Sequence, residues 1–405
     1  MPRDLSYAAP AEVGLDPAGL AKVDAALRQL VDDGELAGVV SLVARHGRIA
    51  HQSVIGAKDL ASGEPLAVDT MFRIFSMTKP VTGVAMMILH DRGLWRPEDP
   101  ISRHLPEFKD VKVFAGLDAA GAPILEAPAH PPTLGELLTH TAGFSYGFDP
   151  ADPVDRLYQG AKVWGAGGLA EMMTRLATVP LAYQPGSKWL YSLSMDVQGA
   201  IIEKLSGQSL PAFMDARIFA PLAMSDTAFH TPPAKRARLA TLYRMSKTKG
   251  LVPLENPLMP DHDSPPPLAS GGGGLISTLH DYARFAQMLL DGGEFDGRRI
   301  VSAEALKLQM SNHLGDAMLE EGFGVGHQQI RPGFGYGWDG AVFTDPATAG
   351  IPVGEGTYQW DGAAGTWFWV DPTNDLIYVG MVQRLADDLP PLQAMTQTLM
   401  AAAII

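Results

Sequence analysis

The chain contains no cysteine among its 405 residues. Disulfides, thiolate zinc sites, iron–sulfur clusters and cysteine nucleophiles are therefore excluded. Long apolar runs are also missing: no stretch reaches about eighteen residues, the length that a membrane-spanning helix requires. The N-terminal residues 1–7 lack the apolar core of a secretory signal. These absences predict a cytoplasmic protein.

Basic residues are fewer than acidic ones. Lys and Arg number 31 against 45 Asp and Glu, which gives a net charge of −14 and a pI of about 5.2. A surface of this charge repels phosphate backbones and anionic lipids, so neither nucleic acid nor a membrane is expected as a partner. Hydrophobic residues make up 46% and charged residues 19% of the chain, as in ordinary globular enzymes. This length can build a large core and two or three domains.

Metal and phosphate motifs are missing as well. The 11 histidines include no H-E-x-x-H pair and show no convincing metal-ligand spacing. No glycine-rich phosphate loop follows a predicted strand, and the glycines at residues 271–274 form an uninterrupted run that favours a turn. We therefore expect neither a metal nor a cofactor.

A serine and a lysine three residues apart stand at the start of a helical pattern. After Ser76-x-x-Lys79, apolar residues recur with helical spacing, and Gly93 fits the C-terminal end of that helix. Residues three apart share one face of a helix. A serine hydroxyl is a weak nucleophile until a base removes its proton. Because burial disfavours a charged amine, a buried Lys79 is a candidate base for Ser76.

A second S-x-x-K pattern provides a comparison within the same chain. It covers residues 246–249, in a polar and basic run that ends at Gly250, and no apolar helix follows it. We interpret this copy as solvated surface. The surrounding sequence, rather than the bare pattern, favours Ser76 as the nucleophile.

The predicted elements indicate a sheet built from both ends of the chain. A helix begins after Asp16 and is followed by a hairpin over residues 38–55. Two further strands lie within residues 366–382, the second almost wholly apolar and hence central, and a last helix follows. Residues 91–270 are mainly helical and rich in loops, and the glycine run at 271–274 is expected to open another helix.

These elements predict an α+β fold in which helices pack on an antiparallel sheet. The sheet domain would comprise residues 1–83 and 181–405, and the inserted helical domain residues 84–180. The end of the insertion is poorly fixed and could lie as late as about residue 270.

Two further segments carry groups that suit acyl chemistry. Tyr191 lies at a loop-to-helix junction, where its phenol could lie beside the lysine and relay a proton to a leaving group. The alternative is a packing tyrosine. The small residues that follow Trp360, at 362–365, could let a carbonyl oxygen approach backbone N–H groups. The alternative there is a bulge or tight strand entry that binds nothing.

Residues 143–147 match G-x-S-x-G, the nucleophile elbow of α/β-hydrolases, with Ser145 at its centre. That elbow requires a strand before the serine and a helix after it. Here a short predicted helix precedes the serine, and Pro150 and Pro153 follow it, which disfavours a helix interior. We therefore expect that Ser145 is not the nucleophile.

Taken in chain order, Ser76-x-x-Lys79, residues 191–193 and residues 360–362 resemble the motifs of the serine β-lactamase and penicillin-binding-protein superfamily. In detail, the chain resembles the esterases of that superfamily, the family VIII carboxylesterases, whose fold is close to that of class C β-lactamases. The resemblance covers nearly the whole chain and includes residues 137–143 and 271–290.

The resemblance implies a β-lactamase/transpeptidase-like fold and a role for each matching position. Ser76 would be the acyl-accepting nucleophile and Lys79 its base partner, and Tyr191 would complete the catalytic set. The N–H groups of Ser76 and Ala363 would form the oxyanion hole. The nucleophile would lie between the sheet domain and the helical domain.

Two motifs depart from those of class C β-lactamases. Where these enzymes carry Tyr-x-Asn, this chain has Leu193, and where they carry Lys-Thr-Gly it has Trp360, Asp361 and Gly362. Family VIII esterases often have Trp-Gly-Gly, so Asp361 departs from both patterns and would disfavour acidic substrates. We expect these four residues to contact the substrate, and their chemistry suits a neutral ester better than an anionic lactam.

The residues and the resemblance together predict a serine carboxylesterase that hydrolyses short-chain acyl esters of small molecules through an acyl-enzyme on Ser76. Weak lactam hydrolysis stays open. Alternatives on the same fold are a β-lactamase, a D-amino-acid peptidase or amidase, and a transacylase. A non-catalytic ligand-binding relative is the alternative outside enzymes. The sequence leaves open the natural substrate, the acyl-chain limit and the oligomeric state.

Overall fold

The computed structural model describes residues 5–254, 264–325, 328–385 and 388–405. Residues 1–4, part of the segment interpreted above as no secretory signal, lie outside the described residues. Within the described ranges, no helix is both long and apolar enough to cross a bilayer.

The α-helices are α1 (Pro17–Asp32), α2 (Thr78–Asp91), α3 (Leu134–Leu138), α4 (Pro153–Gly160), α5 (Leu169–Leu176), α6 (Ser194–Ser206), α7 (Leu210–Met214), α8 (Leu279–Leu290), α9 (Ala303–Gln309), α10 (Asp316–Glu321), α11 (Pro346–Ala349) and α12 (Leu392–Ala401). The strands are β1 (Gly38–Arg45), β2 (Arg48–Asp59), β3 (Glu64–Pro65), β4 (Met71–Arg73), β5 (Val113–Leu117), β6 (Pro123–Glu126), β7 (Tyr243–Ser246), β8 (Gly250–Pro253), β9 (Ile276–Thr278), β10 (Glu294–Phe295), β11 (Arg298–Arg299), β12 (Phe323–Val325), β13 (Gln328–Ile330), β14 (Phe334–Tyr336), β15 (Ala341–Phe343), β16 (Tyr358–Asp361), β17 (Trp367–Asp371) and β18 (Leu376–Met381).

An antiparallel sheet is the framework of the fold. In the described part of the chain it has eight strands, in the order β14–β15–β16–β17–β18–β1–β2–β3. The central strand β18 pairs with β1, so that Val40 lies opposite Met381. The structure therefore confirms the predicted antiparallel fold, the N-terminal hairpin and the central position of the second C-terminal strand.

Helices cover both faces of this sheet. Alternation along β1 sends Val39 and Val43 to a core shared with α1 and α12, and sends Val40 and Leu42 to the core shared with α2 and α8. All four side chains are almost completely buried, which explains why the strand reads as a continuous apolar run. Each buried side chain of this size contributes about 1.5–3 kcal/mol relative to exposure.

The ends of the first helix form as the sequence predicts. The Asp16 carboxylate accepts the N–H groups of Ala18 and Gly19 at 3.0 and 3.2 Å, and Pro17 occupies the first helical position. An Asp cap of this kind typically stabilises a helix by about 1 kcal/mol.

The middle of the chain differs from the prediction in two respects. Residues 91–270 contain two hairpins, β5–β6 and β7–β8, that the helical interpretation did not include. The glycine run at 271–274 does not open a helix: strand β9 follows it, pairs with β4 and only then leads into α8. Three-residue strands are too short to show alternation, so the sequence gave no signal for this pair. The domain boundary near residue 180 or about 270 stays a prediction.

Candidate active site

Ser76 lies in a 3-10 turn, Phe75–Met77, that leads directly into α2. Phe75, the residue before it, has φ +43°, a left-handed backbone conformation that is uncommon for a bulky side chain. Such a conformation costs on the order of 1–3 kcal/mol and persists only where neighbouring contacts hold it. The turn is therefore a strained element, fixed by its surroundings.

Two contacts hold the strand that enters this turn. The side-chain amide of Gln383 accepts the N–H of Arg73 at 3.2 Å and donates to its carbonyl at 2.9 Å. The N–H of Ile74 donates to the carbonyl of Leu275 at 3.0 Å, which extends the β4–β9 pair by one residue. Gln383 thus binds one residue at both of its backbone groups, three positions before Ser76.

Lys79 is completely buried, one helical turn after the serine. Its ammonium donates to Ser76 Oγ at 3.0 Å, to the Tyr146 hydroxyl at 2.9 Å and to the Gly272 carbonyl at 2.7 Å. A neutral amine has two N–H bonds and one lone pair. If Tyr146 and Gly272 take the two N–H bonds, the lone pair faces Ser76 Oγ. The site can therefore present Lys79 to Ser76 as a base.

Tyr191 also contacts the serine. Its hydroxyl donates to Ser76 Oγ at 2.7 Å, and Lys79 Nζ lies 4.6 Å from the centroid of its ring. The three residues that the sequence singled out for acyl chemistry therefore meet around one oxygen atom, although Tyr191 is remote from Ser76 in sequence.

The sequence reasoning missed Tyr146. Its ring lies parallel to those of Phe148 and Trp164, at centroid distances of 4.8 and 5.8 Å. Burial raises the pKa of Tyr146 well above its ordinary value, and the neighbouring Tyr191 and Asp196 raise it further. A neutral hydroxyl that accepts from Lys79 is thus the expected state. The only sequence signal was its position inside the G-x-S-x-G pattern.

Two buried acids lie near the lysine. Burial raises the pKa of Asp196, against hydrogen bonds from Ser270 and the Gly272 N–H and against the charge of Lys79. Burial likewise raises the pKa of Asp339 well above its ordinary value. Because Asp196 binds the N–H of Gly272 while Lys79 binds its carbonyl, the glycine turn connects the acid to the base.

The predicted oxyanion-hole segment packs against the nucleophile turn. A Cβ atom on Gly362 would lie 2.3 Å from the Ile74 carbonyl oxygen, so only glycine allows this approach. Thr366 Oγ1 donates to that carbonyl at 3.2 Å, and the Gly362 N–H donates to the Thr366 carbonyl at 2.7 Å. Ala363 follows Gly362 directly and is exposed. Its N–H therefore belongs to a turn that is fixed against the segment carrying Ser76.

The other predicted substrate contacts are distributed differently. Trp360 is fully buried, with its ring 6.0 Å from that of Tyr191. Asp361, the next residue on β16, lines a separate cavity together with Arg331 and Gln393. Leu193 is fully buried in the core. The structure thus brings Trp360 next to Tyr191, but it brings neither Leu193 nor Asp361 into contact with Ser76.

The two competing serines lie in different surroundings. Ser145 is buried, and its hydroxyl donates to the carboxylate of Asp155. A helix does follow it, contrary to the proline argument, because Pro153 occupies the first position of α4, where proline is tolerated. No strand is assigned in the described residues directly before Ser145. In the second S-x-x-K copy, residues 247–249 form the exposed turn between β7 and β8.

His140 supports the tyrosine from behind. Its Nδ1 accepts the N–H of Ser192 at 3.2 Å, and its ring lies 4.9 Å from that of Tyr191. Burial, with a smaller effect of Lys79, holds the pKa of His140 well below its ordinary value, so the imidazole is neutral. Among the described residues, no group of three or more histidine and acidic side chains could hold a metal ion.

Comparison with known proteins agrees with this geometry. The family model described as Beta-lactamase matches residues 23–399. The chain is 38% identical over 373 residues to Uncharacterized protein MT1414 of Mycobacterium tuberculosis, covering 90% of both chains. It is 34% identical over 381 residues to Esterase EstB of Burkholderia gladioli, covering 89% of this chain and 90% of EstB. The solved structure of EstCE1, a hydrolase with promiscuous acyltransferase activity, superposes with a TM-score of 0.75 at 27% identity, over 94% of this chain and 99% of that one.

Proposed function

The chain belongs to the Beta-lactamase family, as a serine hydrolase or acyltransferase, and on that premise we propose that it is a carboxylesterase acting on short-chain acyl esters. The observation that carries the proposal is the convergence of Lys79 Nζ, at 3.0 Å, and the Tyr191 hydroxyl, at 2.7 Å, on Ser76 Oγ. The similarity to EstB, which is named an esterase, supports ester chemistry.

Acylation begins when Ser76 Oγ attacks the ester carbonyl carbon and gives its proton to the neutral amine of Lys79. Hydrogen bonds to Tyr146 and Gly272 hold the two N–H bonds of that amine, so that its lone pair faces the serine. The negative charge that develops on the carbonyl oxygen is stabilised by the backbone N–H groups of Ser76 and Ala363.

The tetrahedral intermediate then collapses. The bond from the carbonyl carbon to the alcohol oxygen breaks, Tyr191 donates its proton to that oxygen, and Lys79 returns a proton to Tyr191. The alcohol leaves and the acyl group stays on Ser76. Water then attacks the acyl-enzyme, its proton follows the same route in reverse, and the carboxylic acid leaves as Ser76 regains its proton.

The surroundings of the nucleophile favour a neutral ester over an anionic lactam. Trp360 replaces the lysine that meets the carboxylate of a β-lactam in class C enzymes, and Leu193 replaces their asparagine. A fully buried tryptophan and a fully buried leucine offer no charge or amide to such a substrate. Hydrolysis of a lactam should therefore be slow compared with that of a short ester.

Acyl transfer is the second candidate activity. EstCE1, whose title gives it promiscuous acyltransferase activity, covers nearly the same length as this chain. The same acyl-enzyme would react with an alcohol instead of water, with no change in the roles of Ser76, Lys79 and Tyr191. Adding butanol during hydrolysis of vinyl butanoate distinguishes the two, because only transfer gives butyl butanoate.

The test is active-site labelling with a fluorophosphonate, followed by peptide mass spectrometry. A single adduct on Ser76 is expected, together with loss of labelling and of p-nitrophenyl butanoate hydrolysis in Ser76→Ala. The matched control is Ser246→Ala, which removes the serine of the exposed S-x-x-K copy and should leave both signals unchanged. An adduct on Ser145 would replace this mechanism, and the absence of any adduct would favour a ligand-binding protein. Nitrocefin turnover as fast as that of the ester would favour a β-lactamase.

A further inference from the structure

Six aromatic rings form a continuous band across the candidate active site. On one side, Tyr146, Phe148 and Trp164 lie nearly parallel, with centroids 4.8–5.8 Å apart and interplanar angles of 9–24°. On the other side, Trp189 stacks on Phe323 at 4.3 Å and on Tyr191 at 6.0 Å. We call these six residues the aromatic band.

The two halves of the aromatic band join at the nucleophile. The rings of Tyr146 and Tyr191 lie 5.1 Å apart. Their hydroxyls bind Lys79 and Ser76, respectively. A flat group that follows the band therefore ends next to the serine oxygen.

The outer part of the band is open to solvent. Phe148 is 52% exposed although it stacks on Tyr146, and Trp164 and Phe323 are partly exposed. Stacking of an exposed phenylalanine buries little area, so core formation does not explain its position. An exposed aromatic face next to a nucleophile is a surface on which another flat ring can stack.

Proton transfer decides which half of an ester meets this band. The alcohol oxygen must come within hydrogen-bond reach of its proton donor, which the proposed function assigns to Tyr191. Tyr191 is itself part of the band. The carbonyl oxygen, in contrast, must face the turn that contains Gly362 and Ala363. The alcohol group therefore lies along the aromatic rings.

We propose that the enzyme selects esters whose alcohol carries a flat aromatic ring, which stacks on Phe148 and Trp164. The inference rests on the proposed function, and it adds the substrate class. A matched pair of esters measures it: phenethyl acetate and cyclohexylethyl acetate have primary alcohols of similar size, but only the first has a flat ring. Stacking should raise kcat/KM for the phenyl ester about three- to ten-fold.

A second pair, ethyl phenylpropanoate and ethyl cyclohexylpropanoate, carries the ring on the acyl side and should show a ratio near one. Phe148→Leu should reduce the alcohol-side ratio to near one while hydrolysis of ethyl acetate stays unchanged. Tyr7→Leu is the matched control, because Tyr7 is a 63% exposed aromatic residue outside the band, and the ratio should persist.

Three outcomes would overturn the inference: an alcohol-side ratio near one in the unmodified enzyme, an equal ratio on the acyl side, or a ratio that survives Phe148→Leu. Each of these leaves the esterase intact. Failure to hydrolyse any of the four esters would instead refute the proposed function, and the inference with it.

Discussion

Lys79 Nζ donates to the hydroxyl of Tyr146 at 2.9 Å, as close as its contact with the proposed nucleophile. Tyr146 is the neighbour of Ser145 in the G-x-S-x-G pattern. That pattern therefore contributes to the site through its tyrosine, while the hydroxyl of its serine is bound to Asp155. The contact gives Tyr146 the role of a positioning residue, which holds the amine of Lys79 without touching the reacting atoms.

Tyr146→Phe should lower kcat for a short ester about ten- to a hundred-fold, with little change in KM, because hydrogen bonds to charged groups contribute about 1.5–3 kcal/mol. The phenyl ring preserves the stacking on Phe148 and Trp164. Tyr336→Phe is the control: this tyrosine is also buried, and its hydroxyl has no hydrogen-bond partner among the described residues. Steady-state kinetics at saturating substrate measures the effect. Equal kcat values for the two variants would contradict the role given to Tyr146.

Gly362→Ala should reduce both stability and kcat, because the new Cβ would lie 2.3 Å from the Ile74 carbonyl oxygen and from Thr366 Oγ1. Neither the backbone atom nor the bonded threonine can move without shifting the turn before Ser76. Overpacking of this kind typically costs about 1–3 kcal/mol. The variant is compared by thermal unfolding and by ester hydrolysis.

The matched control for that substitution is Gly160→Ala. Gly160 ends α4, and a Cβ there would meet no atom within 4 Å. Alanine should be neutral at this position or more stable by up to about 1 kcal/mol. If Gly362→Ala behaved like Gly160→Ala, the contact between the glycine turn and the nucleophile turn would not matter.

Gln383→Leu should lower kcat as well as stability, because it removes both hydrogen bonds that the amide makes to Arg73. Two such buried bonds are worth about 1–3 kcal/mol together. Gln397→Leu removes a buried amide bond of 2.6 Å to Gln359, on the far side of the sheet. It should cost stability but leave kcat unchanged. A kcat loss shared by the two variants would indicate general loosening instead of a specific effect on the nucleophile turn.

Stability should depend on pH through Asp281. Burial raises the pKa of this carboxyl to about 6, with Asp226 adding to the rise and hydrogen bonds from Asp226 and Thr227 and the charge of Arg284 opposing it. Its folded-state pKa exceeds its unfolded value, so the folded protein binds the proton more tightly. The resulting stabilisation is complete below about pH 4 and is lost as the pH rises through about 6.

Asp281→Asn removes that dependence, since the amide cannot ionise but still presents an oxygen to the Asp226 N–H and Thr227. Between about pH 4 and about pH 8, the unmodified protein should lose on the order of 2 kcal/mol relative to the variant. Urea unfolding at the two pH values measures the difference. Parallel pH profiles of the two proteins would contradict the assignment to Asp281.

Local patterns in the sequence were sufficient for the main elements of the fold. The helix after Ser76 and the hairpin β1–β2 are regular enough for their periodicity to be read. The meeting of Ser76 and Lys79 follows from helical spacing alone. That of Tyr191 with Ser76 does not, and only the resemblance to the esterases placed them together before the structure did.

What the sequence did not show depends on packing between distant segments. Tyr146 reaches Lys79 because its loop folds over α2, and no periodic pattern encodes that position. The Gly272 carbonyl is a backbone group, invisible in the side-chain sequence, and it binds Lys79 at 2.7 Å. Likewise, the fully buried position of Leu193 depends on the tertiary packing of α6 and cannot be read from a motif alignment.

The pairing of β1 with β18 also sets the order in which the enzyme can assemble. On a ribosome that adds about 5–20 residues per second, roughly 20 to 70 s pass between synthesis of the two strands. During that time the apolar edge of β1 has no native partner, which makes the nascent chain prone to aggregation. The turn at Gly362, which packs against the segment carrying Ser76, is made equally late. Refolding from denaturant should therefore restore sheet structure and ester hydrolysis with one shared rate constant, and activity that returned before the sheet would contradict this order.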